Sequence, residues 1–332
     1  MTTKNSSAMQ KNNNLTVLRG IFIIMIVLHH LGLYEGGGSL GVAFFFMLGG
    51  FALSLGYYDK VCKSDFSFLQ YFRRRCEKFF PLHWFCLLAI LPLSLRPIIK
   101  GIGNISDTIL TLIPNALLLQ SLIPIKSVYF SFNAVSWYLS ATMILSVLFP
   151  CIVKGLNKLS DRSKIVTLII ILSAYFILVC FLPIEYRHQI LYINPFVRVV
   201  DFIIGIYLFL LYRKITTNEQ VIGYHNRLIV VISLMMIILA IVTSRIASKD
   251  TVLVAAVYWI PLSVLILSSM MKIDKGGVKI YNLLVWIGDL SFPMFLSHQI
   301  IIRYVYSICS FIGLNNNKVS IAISLPLIFL VA

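Results

Sequence analysis

The chain has 332 residues, 59% of them apolar and only 12% charged, with a mean hydropathy of +0.91. Soluble domains run at roughly 45–50% apolar and about 25% charged, so a water-soluble globule is excluded and the bilayer must act as solvent. A net charge of +16 would suggest nucleic acid as the partner of a soluble protein. Here the excess sits in short loops beside hydrophobic runs, as orientation signals do, and no nucleic-acid partner is expected.

Residues 1–14, rich in Asn, Thr, Ser and Lys, are expected to form a disordered cytoplasmic tail, leaving 15–332 as a single membrane domain. The first apolar run, 15–34, is too long for a signal-peptide core and lacks a small-residue cleavage site, so it is expected to stay as a span. Further runs follow near 39–57, 79–95, 134–153, 165–182, 196–212, 228–244, 251–271, 281–303 and, more weakly, 319–332. Unalternating runs of this length predict helices rather than barrel strands. The expected fold is an all-α polytopic membrane protein with about ten transmembrane helices in one bundle.

Segment 106–124 is ambiguous. It is apolar in patches, but Pro114 and Pro124 interrupt it and it holds Asn115 and Gln120, so it fits either an eleventh span or a helix lying in the interface. With the N-terminus inside and 106–124 kept outside, a clear majority of the 28 basic residues falls in cytoplasmic loops. Letting the segment cross narrows that majority. The positive-inside rule therefore favours ten spans, a cytoplasmic N-terminus and a long outer loop over 96–133. The last run is short and ends abruptly, as a truncated chain would. The cysteines (Cys62, Cys76, Cys86, Cys151, Cys180 and Cys309) contain no CxxC pair, so neither a disulfide framework nor a metal site is expected.

Charged groups inside spans cost roughly 2.5–3.5 kcal/mol each at a helix centre and count as functional candidates by default. The first span carries Arg19 and a His29–His30 pair. At about 100° and 1.5 Å per residue, Arg19 and His30 share nearly one helix face, roughly 16 Å apart along the axis. Two readings fit that stripe. Arg19 snorkels to headgroups while His30 bonds a neighbouring helix, or Arg19 holds a cytoplasmic anion while His30 serves as general base.

The same duality applies elsewhere. Arg73, Arg74, Arg75 and Lys78 form a basic run that is either an orientation signal against anionic lipid or a seat for the phosphates of a nucleotide-like donor. Arg198 and Asp201, three apart, form either a structural intramembrane ion pair or part of a site. His298 is similarly open, and Trp137 and Ser140, at the outer opening of the fourth run, are either anchors or substrate lining.

The segment LRGIFIIMIVLHH (18–30) resembles the opening of the acyltransferase-3 family of membrane O-acyltransferases, whose first span carries an Arg and a His separated by ten residues. Arg19 and His30 match that pair. GVAFFFMLGGF (41–51) is similar to the family's next segment, with Gly49 in place of the usual Ser. RRCEKFFPLHW (74–84) resembles its basic stretch: Arg74 and Arg75 match, Lys78 replaces an Arg and His83 a Tyr. FNAVSWYLSATMILSVLFP (132–150), NPFVRVVDFIIGIYL (194–208) and IGDLSFPMFLSHQIII (287–302) continue the likeness in chain order over nearly the whole length.

That resemblance implies a bundle with an interior channel joining both leaflets. It implies acyl-CoA, most commonly acetyl-CoA, docking on the cytoplasmic face against Arg74, Arg75 and Lys78, with Arg19 organising the donor. His30 would act as general base on a glycan hydroxyl arriving from outside, with Trp137, Ser140, Arg198, Asp201 and His298 as further lining. The expected location is a bacterial inner membrane. The rival expectation is a transporter or flippase for a glycan or small anionic metabolite, although no inverted repeat or pair of broken helices is visible in the sequence.

Overall fold

The computed structural model describes residues 12–217, 235, 254–270, 279–314 and 316–332, and contains no strand among them. The first helix, α1 (Asn13–His30), begins before its apolar run because the Asn12 side chain accepts from the amides of Asn14 and Leu15. Asn14 Nδ2 donates to the Ser269 carbonyl at 3.1 Å, and the Tyr281 hydroxyl donates to Asn14 Oδ1 at 2.9 Å. The end of the expected disordered tail is thus ordered from Asn12 onward; residues 1–11 lie outside the described set.

Next come α2 (Gly37–Val61) and α3 (Phe68–Ser94). Ser67 caps α3, so this helix starts eleven residues before the predicted span at 79 and carries the basic run on its first turns instead of in a loop. The α4 helix (Ile105–Ala116) has twelve residues. At 1.5 Å per residue it reaches about 18 Å, well short of a hydrocarbon core of about 30 Å. Its outward face shows Ile109, Leu110 and Ile113, while Asn115 is buried and donates to the carbonyls of Thr111 and Val128. Segment 106–124 is therefore no continuous span; it ends in a turn where Leu118 takes a positive φ of 56°.

The chain continues with α5 (Ser136–Asn157), α6 (Asp161–Phe181), α7 (Pro195–Thr217), α8 (Val254–Ser269), α9 (Lys279–Asp289), α10 (Ser291–Phe311) and α11 (Asn317–Val331). Among the described residues six helices, α1, α2, α3, α5, α6 and α7, are long and apolar enough to cross a bilayer. The predicted span at 281–303 is instead a broken pair: α9 and α10 meet at Leu290 with a bend of 72°, and together would make a seventh. The apolar helices α8 and α11 are shorter, and the predicted span at 228–244 falls, apart from Met235, outside the described residues.

The surface is that of a protein with an apolar surrounding. Of the 21 residues of α6 only Tyr175 and Val179 are buried, while Ile165, Ile169, Ile170, Ile177 and Phe181 face outward. Inside, α2 and α7 cross at backbone contact. A Cβ on Gly50 would overlap the Phe202 carbonyl, and one on Gly205 would overlap that of Met47. Small residues at such a crossing let helices pack by van der Waals contact where no hydrophobic force draws them together.

Candidate functional site

The described residues enclose two cavities that bring predicted site residues together. The first, of ≈ 380 Å³, is lined by Arg19, by Gly49, Gly56 and Tyr57 of α2, by Arg75 and Lys78 of α3, by Tyr138, Thr142 and Ser146 of α5, and by Ser291 and Phe295 of α10. Both Nε and Nη2 of Arg19 donate to Ser291 Oγ, at 3.1 and 2.8 Å, which fixes the guanidinium at the break between α9 and α10. Arg75 Nη2 donates to the Tyr57 hydroxyl at 3.2 Å, and its guanidinium lies over the Tyr57 and Tyr71 rings. Three cations line this space and no carboxylate does, among the described residues, which suits it to an anion.

Arg74 is exposed and lines neither cavity, while Arg73 is engaged by Glu77 at 2.8 Å on the outer face. Helical spacing accounts for the split, since Arg75 and Lys78 are three residues apart and Arg74 is rotated about 100° from Arg75. His83, standing where the family has a Tyr, is buried, with Nε2 2.8 Å from the Asn115 carbonyl; beside it the Trp84 indole donates to Ala116 at 2.9 Å. These contacts clamp α4 against α3.

The second cavity, of ≈ 310 Å³, is lined by His29 and His30, by Phe130, Trp137 and Tyr138, by His188 and Tyr192, and by Phe295 and Gln299. His30 Nδ1 lies 2.9 Å from the Ile26 carbonyl. A carbonyl can only accept, so Nδ1 carries the hydrogen, and in the neutral ring Nε2 keeps the lone pair. The His298 ring packs behind it, centroids 4.9 Å apart and planes at 68°. Its Nδ1 is bound in the same way to Met294 at 3.0 Å, and its buried Nε2 has no partner among the described residues.

Arg19 and His30 both point inward, as their eleven-residue spacing predicted, but into different cavities. Tyr138 and Phe295 line both, their rings packed edge to face with centroids 5.0 Å apart. Where the resemblance implies a continuous channel, this conformation shows two chambers with Tyr138 and Phe295 on the boundary they share.

The remaining predicted residues lie around this pair of chambers. Trp137 lines the second cavity. Ser140 lines neither: its hydroxyl bonds Ser121 Oγ at 2.7 Å and the Leu118 carbonyl at 2.8 Å, holding the turn after α4. Arg198 and Asp201 form a buried ion pair at 2.9 Å, their side chains 2% and 3% exposed, with the Trp259 indole donating to Asp201. Arg198 Nε also donates to the Tyr192 carbonyl at 2.8 Å and its guanidinium lies over that ring, so this pair positions a cavity residue without lining the cavity.

Sequence reasoning missed Tyr57, Tyr138, His188, Ser291, Phe295 and Gln299. Gln299 carried a signal, being a polar side chain next to His298 inside an apolar run; the others are ordinary members of their segments. No group of three or more His, Cys, Asp or Glu residues gathers as a metal site would require, among the described residues.

Long apolar helices with an outward lipid-compatible face, packed around a cationic chamber and a histidine-bearing second chamber, are those of a polytopic membrane protein. The chain belongs to the acyltransferase-3 family: the family's profile, described as an acyltransferase domain, matches residues 12–332. It is similar to Acyltransferase MdmB of Streptomyces mycarofaciens, with 28% identity over 288 residues, covering 80% of this chain and 69% of that one. No solved structure matches it. The protein is thus a multi-pass membrane acyltransferase.

Proposed function

We propose that the protein moves an acyl group, acetyl being the family's commonest, from cytoplasmic acyl-CoA onto a hydroxyl of a cell-envelope glycan. The membrane is a bacterial inner membrane, the N-terminus is cytoplasmic and the full chain has ten spans. The observation that carries this is the pairing of the chambers: a cationic one, with no carboxylate on it among the described residues, beside one holding the His30 imidazole, with Tyr138 and Phe295 lining both.

The donor's phosphates are held by Arg75 and Lys78, with Arg74 on the exposed continuation of the same helix, and its arm enters the first chamber. Arg19 and the first turn of α10, where Ser291 opens a half-helix, supply positive potential at the inner side of the wall. A thioester is already an activated acyl group, so the chemistry that remains is proton management. His30 Nε2 takes the proton of the acceptor hydroxyl as its oxygen attacks the carbonyl carbon. The C–S bond then breaks, and His30 returns the proton to the departing thiolate. The thioester has to pass Tyr138 and Phe295 to reach His30, so these rings turn aside during the cycle.

A transporter or flippase is the second reading, favoured by the break between α9 and α10, since discontinuous helices flanking a central site are a transporter device. Vesicles holding labelled acetyl-CoA on one side and a glycan acceptor on the other separate the two. Labelled ester on the acceptor, absent in His30→Ala, is the expected result. Acceptor crossing unmodified would overturn the acyl transfer in favour of transport.

A further inference from the structure

The second chamber has a wall that proton transfer does not use. His188 sits in the wide helical turn His188–Ile193 between α6 and α7, at the chamber's exposed rim. Its ring lies 5.8 Å from Phe130 and 5.3 Å from Tyr192, centroid to centroid, and Tyr192 packs 5.0 Å from Trp137. Arg198 pins Tyr192 from behind, so the aromatic wall is held in place before any ligand arrives.

His188 and Gln299 each bring to this chamber a side-chain nitrogen with no protein partner among the described residues. His188 makes no hydrogen bond there. Partial burial of the ring, then the charges of Lys126 and Arg198, hold its pKa below the ordinary histidine value, which favours the neutral ring with one donor and one acceptor nitrogen. On the same chamber, Gln299 Oε1 accepts from the Val135 amide at 3.2 Å, which fixes the side-chain amide and leaves Nε2 free to donate. Among the described residues no carboxylate lines the chamber, and its volume of ≈ 310 Å³ has room for a single ring. That lies at the small end of the roughly 300–1,000 Å³ typical of small-molecule sites.

We infer that this wall is the acceptor subsite and that it takes one uncharged pyranose ring, the C–H face against Trp137 and Tyr192, with His188 and Gln299 bonding its hydroxyls. As an acceptor site it rests on the function proposed above. The arrangement selects against an alkyl alcohol. Such a molecule would cover the aromatic wall yet leave His188 and Gln299 without partners, and desolvated polar groups left unpaired are costly.

Photolabelling of the full chain in nanodiscs, with no acyl donor present, tests the inference. The probes are diazirine-bearing methyl pyranosides (gluco, galacto, manno and 2-acetamido forms), with diazirine-bearing octanol for comparison, and labelled peptides are read by mass spectrometry. At least one glycoside is expected to label the segments 126–138 and 188–194, in competition with its unlabelled form. His188→Ala and Gln299→Ala are each expected to weaken that labelling about fivefold, the loss of one hydrogen bond. His188→Asn, which keeps a donor and an acceptor, is expected to retain most of it. Octanol labelling these segments as strongly as every glycoside, or glycoside labelling unchanged in both alanine variants, would overturn the proposal. Because no acyl donor is present, failed ester formation in vesicles with intact sugar labelling would remove acyl transfer to the sugar and leave the sugar site standing.

Discussion

Gly49 and Gly50 are neighbours on α2, yet replacing them is expected to have opposite outcomes. A Cβ built on Gly49 meets only the Phe202 ring, at 3.8 Å from Cδ2 and Cε2, an ordinary contact on the wall of the cationic chamber. Gly49→Ser therefore fits, and it gains roughly 0.5 kcal/mol of helix propensity over glycine. A Cβ on Gly50 overlaps the Phe202 carbonyl oxygen and lies 2.9 Å from its carbon. Backbone cannot rotate out of the way as a side-chain tip can, so the cost falls at the upper end of the 1–3 kcal/mol typical of overpacking, and the propensity gain of about 1 kcal/mol only partly offsets it. Gly50→Ala is thus expected to lose about 2 kcal/mol, read as a lower thermal midpoint in detergent, while Gly49→Ser keeps or raises the midpoint. A Gly50→Ala midpoint equal to or above that of the parent protein would refute the close α2–α7 crossing on which the cationic chamber depends.

Three further outcomes follow from the same geometry. Asp201→Ala leaves the Arg198 guanidinium buried without its partner and is expected to cost about 3–5 kcal/mol, whereas Arg198→Met with Asp201→Leu recovers most of the loss; thermal midpoints of the single and double variants check this. Arg75→Ala and Lys78→Ala are expected to raise the donor KM about tenfold or more with little change in kcat, and Arg74→Ala to raise it less, because only the first two line the chamber. Equal effects of all three in steady-state kinetics would contradict that division. Removing the wall rings by Tyr138→Ala with Phe295→Ala joins the two chambers. It is expected to increase acceptor-independent thioester hydrolysis severalfold relative to transfer, measured as free thiol released without ester formed, since water then reaches the donor.

Much of the architecture is legible in local pattern. The apolar content requires helices in a membrane, because only a helix or a closed barrel satisfies every backbone group without water. The eleven-residue interval turns Arg19 and His30 inward, and three-residue intervals place Arg75 beside Lys78 and Arg198 beside Asp201. These follow from the 3.6-residue turn, a property of the backbone that needs no knowledge of neighbours.

The tertiary structure alone decided which inward-facing groups share a space. Tyr138 and Phe295, from α5 and α10, stand between the cations around Arg19 and the imidazole of His30, and nothing in their own segments marks them as a partition. The break at Leu290 divides what reads as one apolar run and brings Ser291 to Arg19. Ser140 and His83 lie in family-like segments yet hold a turn and a short helix in place. A cavity is the space left where several helices fail to touch. Its shape depends on how closely their backbones approach, as Gly50 and Gly205 allow α2 and α7 to do, and that approach is fixed by contacts between residues more than 150 positions apart.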